Sequence, residues 1–411
     1  MRDALTAPDV DRRLRTAAAV DVVAAGKAAE QMLLTFLAAA PVAVRQAIGI
    51  GGAMPADVPT GARWYRAAHP VPDEHSVTAA RAALDVAAAG GERDLLAVLL
   101  SGGASAMMAL PAEDITFEVK QESSVELLRC GAEIHDLNAV RKHLSAIKGG
   151  QLAAASTGAT LTLALSDVVG DDLSAIGSGP TVPDETTFGE ALAALERYGG
   201  RGRYPDAVVA RLTRGAAGAI AETPKPGDPR LVRSIAHVIG GYRTAVAGAC
   251  AAAATLRYTV HVVEQPMVGE ARVAAHALIA AARAYVGRGG STGPVCIVAG
   301  GETTVRTGGS GKGGRNQEFA LAMARELDLL GATVGAASVG TDGVDGPTDA
   351  AGAIADSSTL ARAEAADIGP PERALDEHNS HVFFDGLDDL IRTGPTGTNV
   401  GDLQVILVAG H

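Results

Sequence analysis

The stretch Val295-Cys296-Ile297-Val298-Ala299-Gly300-Gly301-Glu302-Thr303-Thr304-Val305-Arg306-Thr307-Gly308-Gly309-Ser310-Gly311-Lys312-Gly313-Gly314-Arg315-Asn316-Gln317-Glu318 carries an apolar strand straight into glycines. A helical pattern then follows over Gln317 to Arg325. Strand, glycine turn and helix in that order are the building unit of an α/β protein. Glycines let backbone N–H groups approach an anion and a helix start favours one, so the stretch reads as an anion-gripping loop that ends at Arg315. Its formal patterns fit neither common nucleotide loop. Gly311-Lys312 lacks the glycine five positions before the lysine and the Ser or Thr after it that a Walker A loop needs. Gly309, Gly311 and Gly314 spell G-x-G-x-x-G about ten residues past the strand's end, whereas a dinucleotide fingerprint occupies the first turn.

The surrounding chain repeats that unit. Strand-length apolar runs occur at Val20 to Ala25, Ala47 to Ile50, Leu95 to Leu100, Thr160 to Leu165, Ile235 to Ile239, Tyr258 to Val263, Gly335 to Val339 and Val405 to Val408, alternating with Ala-rich helical stretches. The rhythm predicts parallel sheets with helices on both faces. Several runs end in Gly, Ser or Asp, and open α/β sheets bind ligands at such carboxyl ends. With 411 residues the chain exceeds one domain. Thr223-Pro224-Lys225-Pro226-Gly227-Asp228-Pro229 reads as the linker, giving an N-terminal domain of residues 1–230 and a C-terminal domain of residues 231–411. The polar segment Arg288 to Pro294 reads as a surface connection.

Composition narrows the function. Hydrophobic residues make up 47% and charged residues 20%, as in globular proteins, while aromatics at 3% leave the cores to Ala, Val, Leu and Ile. A net charge of -12 and a pI of about 5.3 offer no counter-charge to nucleic acid or an anionic membrane, and both are excluded as partners. Any phosphate must be held by local basic residues. Cys130, Cys250 and Cys296 are scattered and suggest reduced thiols, without disulfide or zinc spacing. The start has no signal-peptide pattern and the longest small-apolar stretch, Ala245 to Ala254, is too short to span a bilayer, so a cytoplasmic location is expected.

Five clusters carry candidate chemistry. Gly26-Lys27 follows the first strand and places an ammonium at a helix start, where an anion is favoured. Ser101-Gly102-Gly103-Ala104-Ser105 supplies consecutive N–H groups and two hydroxyls suited to phosphate. Asn138, Arg141, Lys142, His143 and Lys148 form a dense basic segment, with Arg141, Ser145 and Lys148 on one helical face. Asp167, Asp171 and Asp172 stand just past a strand, where carboxylates can hold Mg2+ partly through phosphate and water or accept a hydroxyl proton. Asp342, Asp345 and Asp349 repeat the arrangement, though Ala353 stands where an EF-hand needs its acid. His69-Pro70-Val71-Pro72-Asp73-Glu74-His75 reads as a rigid turn rather than a metal site.

Taken in order, Gly26-Lys27-Ala28, His69-Pro70-Val71-Pro72-Asp73, Ser101 to Ser105, Val140-Arg141-Lys142-His143-Leu144-Ser145 with Lys148-Gly149-Gly150, Ser166-Asp167-Val168 with Gly170-Asp171-Asp172, Ser178-Gly179-Pro180-Thr181, Gly313 to Glu318, Gly340-Thr341-Asp342-Gly343 through Gly352, and Gly394 to Val400 resemble glycerate 2-kinases of the MOFRL family. Val169 stands where the family pattern has proline. The resemblance implies a Rossmann-like α/β/α N-terminal domain and a C-terminal α/β domain, with the active site in the cleft between them. It implies ATP-dependent phosphorylation of D-glycerate at the 2-hydroxyl, giving 2-phosphoglycerate and ADP, with Mg2+. It places the catalytic roles on Lys27, Asp167 and Arg315. Nucleotide contacts are expected from Ser101, Gly102, Gly103, Ser105, Arg141, Lys148, Gly313 and Gly314, and metal contacts from Asp171, Asp172 and Asp342. Arg315 suits either the moving phosphoryl group or the glycerate carboxylate, because a guanidinium grips both bidentately. A homodimer is the candidate assembly. Two other readings stay open: an NAD(P)H-dependent hydroxypyruvate reductase, and a non-catalytic sugar-acid-binding protein.

Overall fold

Val20–Ala25 (β1) is buried along its whole length, as an uninterrupted apolar run requires of a central parallel strand. In the computed structural model, which describes residues 1–286, 293–305, 311–330 and 333–409, β1 joins five partners. They are β2 (Val44–Gly51), β3 (Ala62–Arg66), β4 (Leu95–Leu100), β5 (Ala159–Leu165) and β6 (Ser234–Gly240), in the order β3-β2-β1-β4-β5-β6. That is the Rossmann order. The pairs β1–β2, β1–β4, β2–β3 and β4–β5 are all parallel, so the turns after Ala25 and Leu100 lie side by side at one edge. The edge strand β3 was not expected from the sequence, since Arg63 and Arg66 interrupt its apolar content.

The chain divides into two compact units, Met1–Leu165 with Asp171–Ile239, and Ser166–Gly170 with Gly240–His411. The boundary expected near residue 230 is therefore displaced to the end of β6. The proline-rich segment belongs to the first unit, where the Asp184 N–H donates to the Pro224 carbonyl at 2.8 Å and the Thr223 hydroxyl to Asp184 at 2.9 Å. Of the polar segment Arg288 to Pro294, all but its last two residues lie outside the described residues.

The second sheet corrects the expectation of parallel sheets throughout. Its strands are β7 (Thr259–Val262), β8 (Met267–Glu270), β9 (Val295–Thr304), β10 (Val334–Gly340), β11 (Gly352–Asp356), β12 (Leu390–Ile391) and β13 (Asp402–Val408). The order is β12-β11-β10-β13-β9-β7, with β8 also on β9. β7 and β8 run parallel to β9, but β13 is antiparallel to both β9 and β10, and β11 to β10 and β12. A buried apolar run looks the same whichever way its neighbour runs, so periodicity could not show this. The helix Arg315–Ala324 is buried from Asn316 to Ala324, which marks it as the central helix of this unit. The three cysteines are unpaired.

Candidate active site

In the first unit the two turns at the sheet edge are tied to each other. The Ser101 hydroxyl accepts the Ala28 N–H at 3.0 Å, and the Gly102 carbonyl accepts the Lys27 N–H at 2.9 Å. Gly26 has φ +119°, and a Cβ there would stand 2.3 Å from Ser101 Oγ, so both its conformation and its packing demand glycine. These bonds set half-buried Lys27 at the opening of the helix Ala29–Ala39. Gly103, at φ +86°, starts the single-turn helix Ala104–Met107 that carries Ser105. Asp73 caps the helix Glu74–Ala88 through Ser76, in keeping with a turn rather than a metal ligand.

Ser105 opens the polar network that is the best-formed feature of this unit. Lys148 donates from its ammonium to the Ser105 carbonyl at 2.6 Å and hydroxyl at 2.7 Å. The Ser105 hydroxyl lies 2.8 Å from that of Ser178, which donates to Asn138 Oδ1 at 3.3 Å. The helix Ile134–His143 supplies Asn138 and Arg141 but ends before Lys148, so Lys148 arrives from the following turn and not from the expected helical face. Lys148 is 2% exposed, and burial, then the charges of Lys120 and Arg141, hold its ammonium well below the ordinary lysine range. Burial likewise lowers the Arg141 guanidinium.

In the second unit the register aligns Gly340, Asp402 and Gly301 across β10, β13 and β9. Fully buried Asp402 accepts Arg315 Nε at 2.7 Å and Nη2 at 2.9 Å, Asn316 Nδ2 at 2.9 Å and the Thr303 N–H at 3.3 Å. Glu302 lies 3.4 Å from the same guanidinium. Burial works to lower the basicity of Arg315, but the hydrogen bonds and charge of Asp402 outweigh it and the guanidinium is held more strongly protonated than usual. Asn316 Oδ1 in turn accepts the Ser338 hydroxyl at 2.7 Å, and Ser338 accepts Gln404 at 3.3 Å, a buried chain that fixes the row.

The start of the helix at Arg315 is not an open anion nest. Asp345 accepts the N–H groups of Asn316 at 3.0 Å and Gln317 at 2.9 Å, capping the helix with the protein's own carboxylate. A Cβ on Gly314 would meet Asp345 Cγ at 2.3 Å and one on Gly313 would meet Ser380 Oγ at 2.4 Å. These glycines admit neighbouring chain. Burial pushes the Asp345 carboxyl up to about 6 despite the two amides, with the charge of Asp402 adding to the rise. Arg306, Gly308, Gly309 and Ser310 lie outside the described residues.

Of the remaining acids, Asp167 accepts Asn399 Nδ2 at 3.0 Å within the second unit. Asp342 accepts the Val344 N–H at 3.2 Å. Asp172 is engaged by Ser174 through both oxygens, at 2.8 and 2.9 Å, which is turn chemistry. Asp171 has φ +55° and a buried Oδ1 without a hydrogen-bond partner. Among the described residues no group of three or more His, Cys, Asp or Glu side chains is arranged to hold a metal ion. The sequence patterns missed Asp402, which reads as an ordinary strand start, and Lys120, which reads as one more helix-surface charge.

Residues 1–213 match a domain of unknown function (DUF4147) and residues 295–402 match the MOFRL family. The glycerate 2-kinase of Pyrococcus horikoshii is 40% identical over 344 residues, spanning 83% of this chain and 77% of that one. The D-glycerate 2-kinase of Thermotoga maritima is 37% identical over 347 residues, spanning 84% and 79%. The solved structure of a glycerate kinase from Thermotoga maritima superposes with a TM-score of 0.83 at 34% identity, covering 99% of this chain and 96% of that one. Matched over both units by these relatives, the chain belongs to the MOFRL family of glycerate 2-kinases.

Proposed function

We infer that the protein phosphorylates D-glycerate at the 2-hydroxyl with ATP, releasing 2-phosphoglycerate and ADP. The observation that carries this reading is the whole-chain likeness to a glycerate kinase, which takes in both units rather than one shared domain. In the reaction the substrate hydroxyl oxygen bonds to the γ-phosphorus, the bond from that phosphorus to the bridging oxygen of ADP breaks, and the hydroxyl proton passes to a base. Such transfer asks the protein for positioning and charge neutralisation more than covalent chemistry.

In this proposal Asp167 takes the hydroxyl proton, oriented by Asn399. Lys27, delivered by the bonded turns, and the cluster of Ser105, Arg141 and Lys148 supply positive charge and donors to phosphate oxygens. Arg315 spends two donors on Asp402 and keeps Nη1 for a ligand oxygen. ATP as substrate follows from the kinase family, and Mg2+ is proposed with it. Mg2+ retains waters and binds through one or two carboxylates plus phosphate, so it asks the chain for few ligands of its own. Asp171, with its unpartnered buried oxygen, is the fitting ligand in the first unit and Asp342 the candidate in the second, while Asp172 stays with its turn. When bound, the ion neutralises charge on the phosphate oxygens. No helix among the described residues is long and apolar enough to cross a membrane, and a cytoplasmic homodimer remains part of the proposal.

The test is to incubate the protein with ATP, Mg2+ and a panel of three- and four-carbon hydroxy acids and to identify the product by phosphorus NMR. 2-Phosphoglycerate is expected. Formation of 3-phosphoglycerate alone, or reduction of hydroxypyruvate by NADH without ATP use, overturns the reading.

A further inference from the structure

Lys120 sits in the helix Phe117–Arg129, is 5% exposed, and donates from its ammonium to the Leu110 carbonyl at 3.0 Å. The same carbonyl accepts the Ser145 hydroxyl at 3.0 Å, and Ser145 Oγ accepts the Lys148 N–H at 3.3 Å, so Lys120 and Lys148 share one small frame. Beyond it come the Lys148 contacts to Ser105 and the Ser105–Ser178–Asn138 chain. Arg141, three residues beyond Asn138 on its helix, has no hydrogen-bond or ion-pair partner among the described residues.

Among the described residues no ion pair is formed by Lys120, Arg141 or Lys148, and the charges that act on the two lysines are cationic. Asp184 takes Lys142 at 3.1 Å, Glu222 takes His143 at 3.0 Å, and Asp114 takes Arg211 and Arg214. The groups whose charges act on Lys120 are Arg141 and Arg211, and both Lys120 and Arg141 act on Lys148. Burial first, then those charges, push the Lys120 ammonium down to about 7. Buried like charges are retained at a cost unless something neutralises them.

We propose that Lys120, Arg141 and Lys148, with the Ser105 and Ser178 hydroxyls, form one receptor for a phosphate group, and that Lys120 is a binding residue within it. Three cations and two hydroxyls offer more charge and more donors than a carboxylate can use, whereas a phosphate presents three acceptor oxygens and nearly two charges. The phosphate belongs either to the nucleotide or to the phosphorylated hydroxy acid. The inference rests on the kinase reading only in that choice of ligands. Arrival of the dianion favours the charged lysines, so binding takes up protons from solution.

Titration calorimetry of the full chain at pH 8 tests this, with inorganic phosphate, ADP, 2-phosphoglycerate and D-glycerate as probes, in two buffers of different ionisation enthalpy. Inorganic phosphate is expected to bind with proton uptake. Lys120→Met should weaken it by roughly tenfold or more and reduce the uptake, Lys120→Arg should retain most of the affinity, and Arg141→Gln should weaken it similarly. Whichever of ADP and 2-phosphoglycerate loses affinity alongside phosphate identifies the source. Unchanged phosphate affinity in folded Lys120→Met and Arg141→Gln overturns the proposal, as does a loss confined to D-glycerate. Should Lys120→Met fail to fold, Arg141→Gln and the buffer dependence of the unaltered chain decide. Phosphate binding lost with Lys120 in a protein that makes no 2-phosphoglycerate would uphold the receptor and remove the kinase reading.

Discussion

Arg315 holds Asp402 by two parallel hydrogen bonds, at 2.7 and 2.9 Å, and so turns most of its planar fork toward the protein. The carboxylate is fully buried at the first residue of β13, and the guanidinium is its only charged partner among the described residues. The pair has to be counted as architecture before any role for Arg315 in binding is added.

Arg315→Ala is accordingly expected to lose stability as well as turnover. Removing one member of a buried pair costs roughly 3 to 5 kcal/mol, and the surviving donors Asn316 and Thr303 place this case toward the lower end. Arg315→Lys keeps the charge but one ammonium cannot span both oxygens, so it should recover part of the stability and little of kcat. Urea denaturation beside steady-state kinetics separates the two effects. A lysine variant with unaltered stability and kcat would show that charge alone suffices.

Asp345 predicts a pH dependence. Burial holds its carboxyl at about 6 in the fold against the ordinary 3.8 of an exposed aspartate, so between those values the native state binds more protons than the unfolded chain. The associated stability is complete below about pH 3.8 and is lost as pH rises through about 6. The interval corresponds to about 3 kcal/mol. The stability of the unaltered protein relative to Asp345→Asn should therefore fall by that order between pH 4 and 7, measured by urea titration. A difference that stays constant with pH would show that Asp345 is ionised throughout.

Glycines 314 and 335 make a matched contrast inside the second unit. A Cβ at Gly314 would enter the Asp345 carboxylate, whereas one at Gly335 would meet nothing within 4 Å. Gly314→Ala should cost roughly 1 to 3 kcal/mol or more, because both backbone and cap must move. Gly335→Ala should be neutral or slightly stabilising. Equal thermal shifts for the two would contradict the close approach of Asp345.

The same contrast shows what could be read without coordinates. β1 and β4 were legible to the residue because central parallel strands are uninterrupted apolar runs. β11 was not, since Gly352-Ala353-Ile354-Ala355-Asp356 has neither alternation nor β-branched weight, and Gly352 is there because Ser338 passes close to it. The glycines before Arg315 read as an approach for an anion, whereas Gly313 and Gly314 admit Ser380 and Asp345, and residue type alone does not separate the two. Lys148 stands out in the sequence as one of several clustered basic residues, whereas Lys120 lies in a mixed-charge helix where only burial distinguishes it. Asp402 is a long-range partner, and a sequence holds no local mark of a contact 87 residues away.

Asp167 is the base in the proposed transfer, and its surroundings allow that role to be tested by substitution. The turn around Asp167 is locked without it: Ser166 Oγ accepts the Val168 N–H at 3.2 Å and donates to the Val168 carbonyl at 3.0 Å. Asp167 contributes one oxygen to Asn399, a bond that an amide at 167 can reproduce by presenting its carbonyl. Asp167→Asn should therefore fold normally. It removes the acceptor for the hydroxyl proton, and loss of a positioned general base lowers kcat by about a hundredfold or more. KM for glycerate should change little, because the group acts on the reacting proton rather than on ground-state binding. A stable variant with nearly normal kcat would return Asp167 to the role of turn-former, and the base would then be sought at Asp171, whose buried oxygen lacks a partner, before Asp172, whose oxygens are held by Ser174.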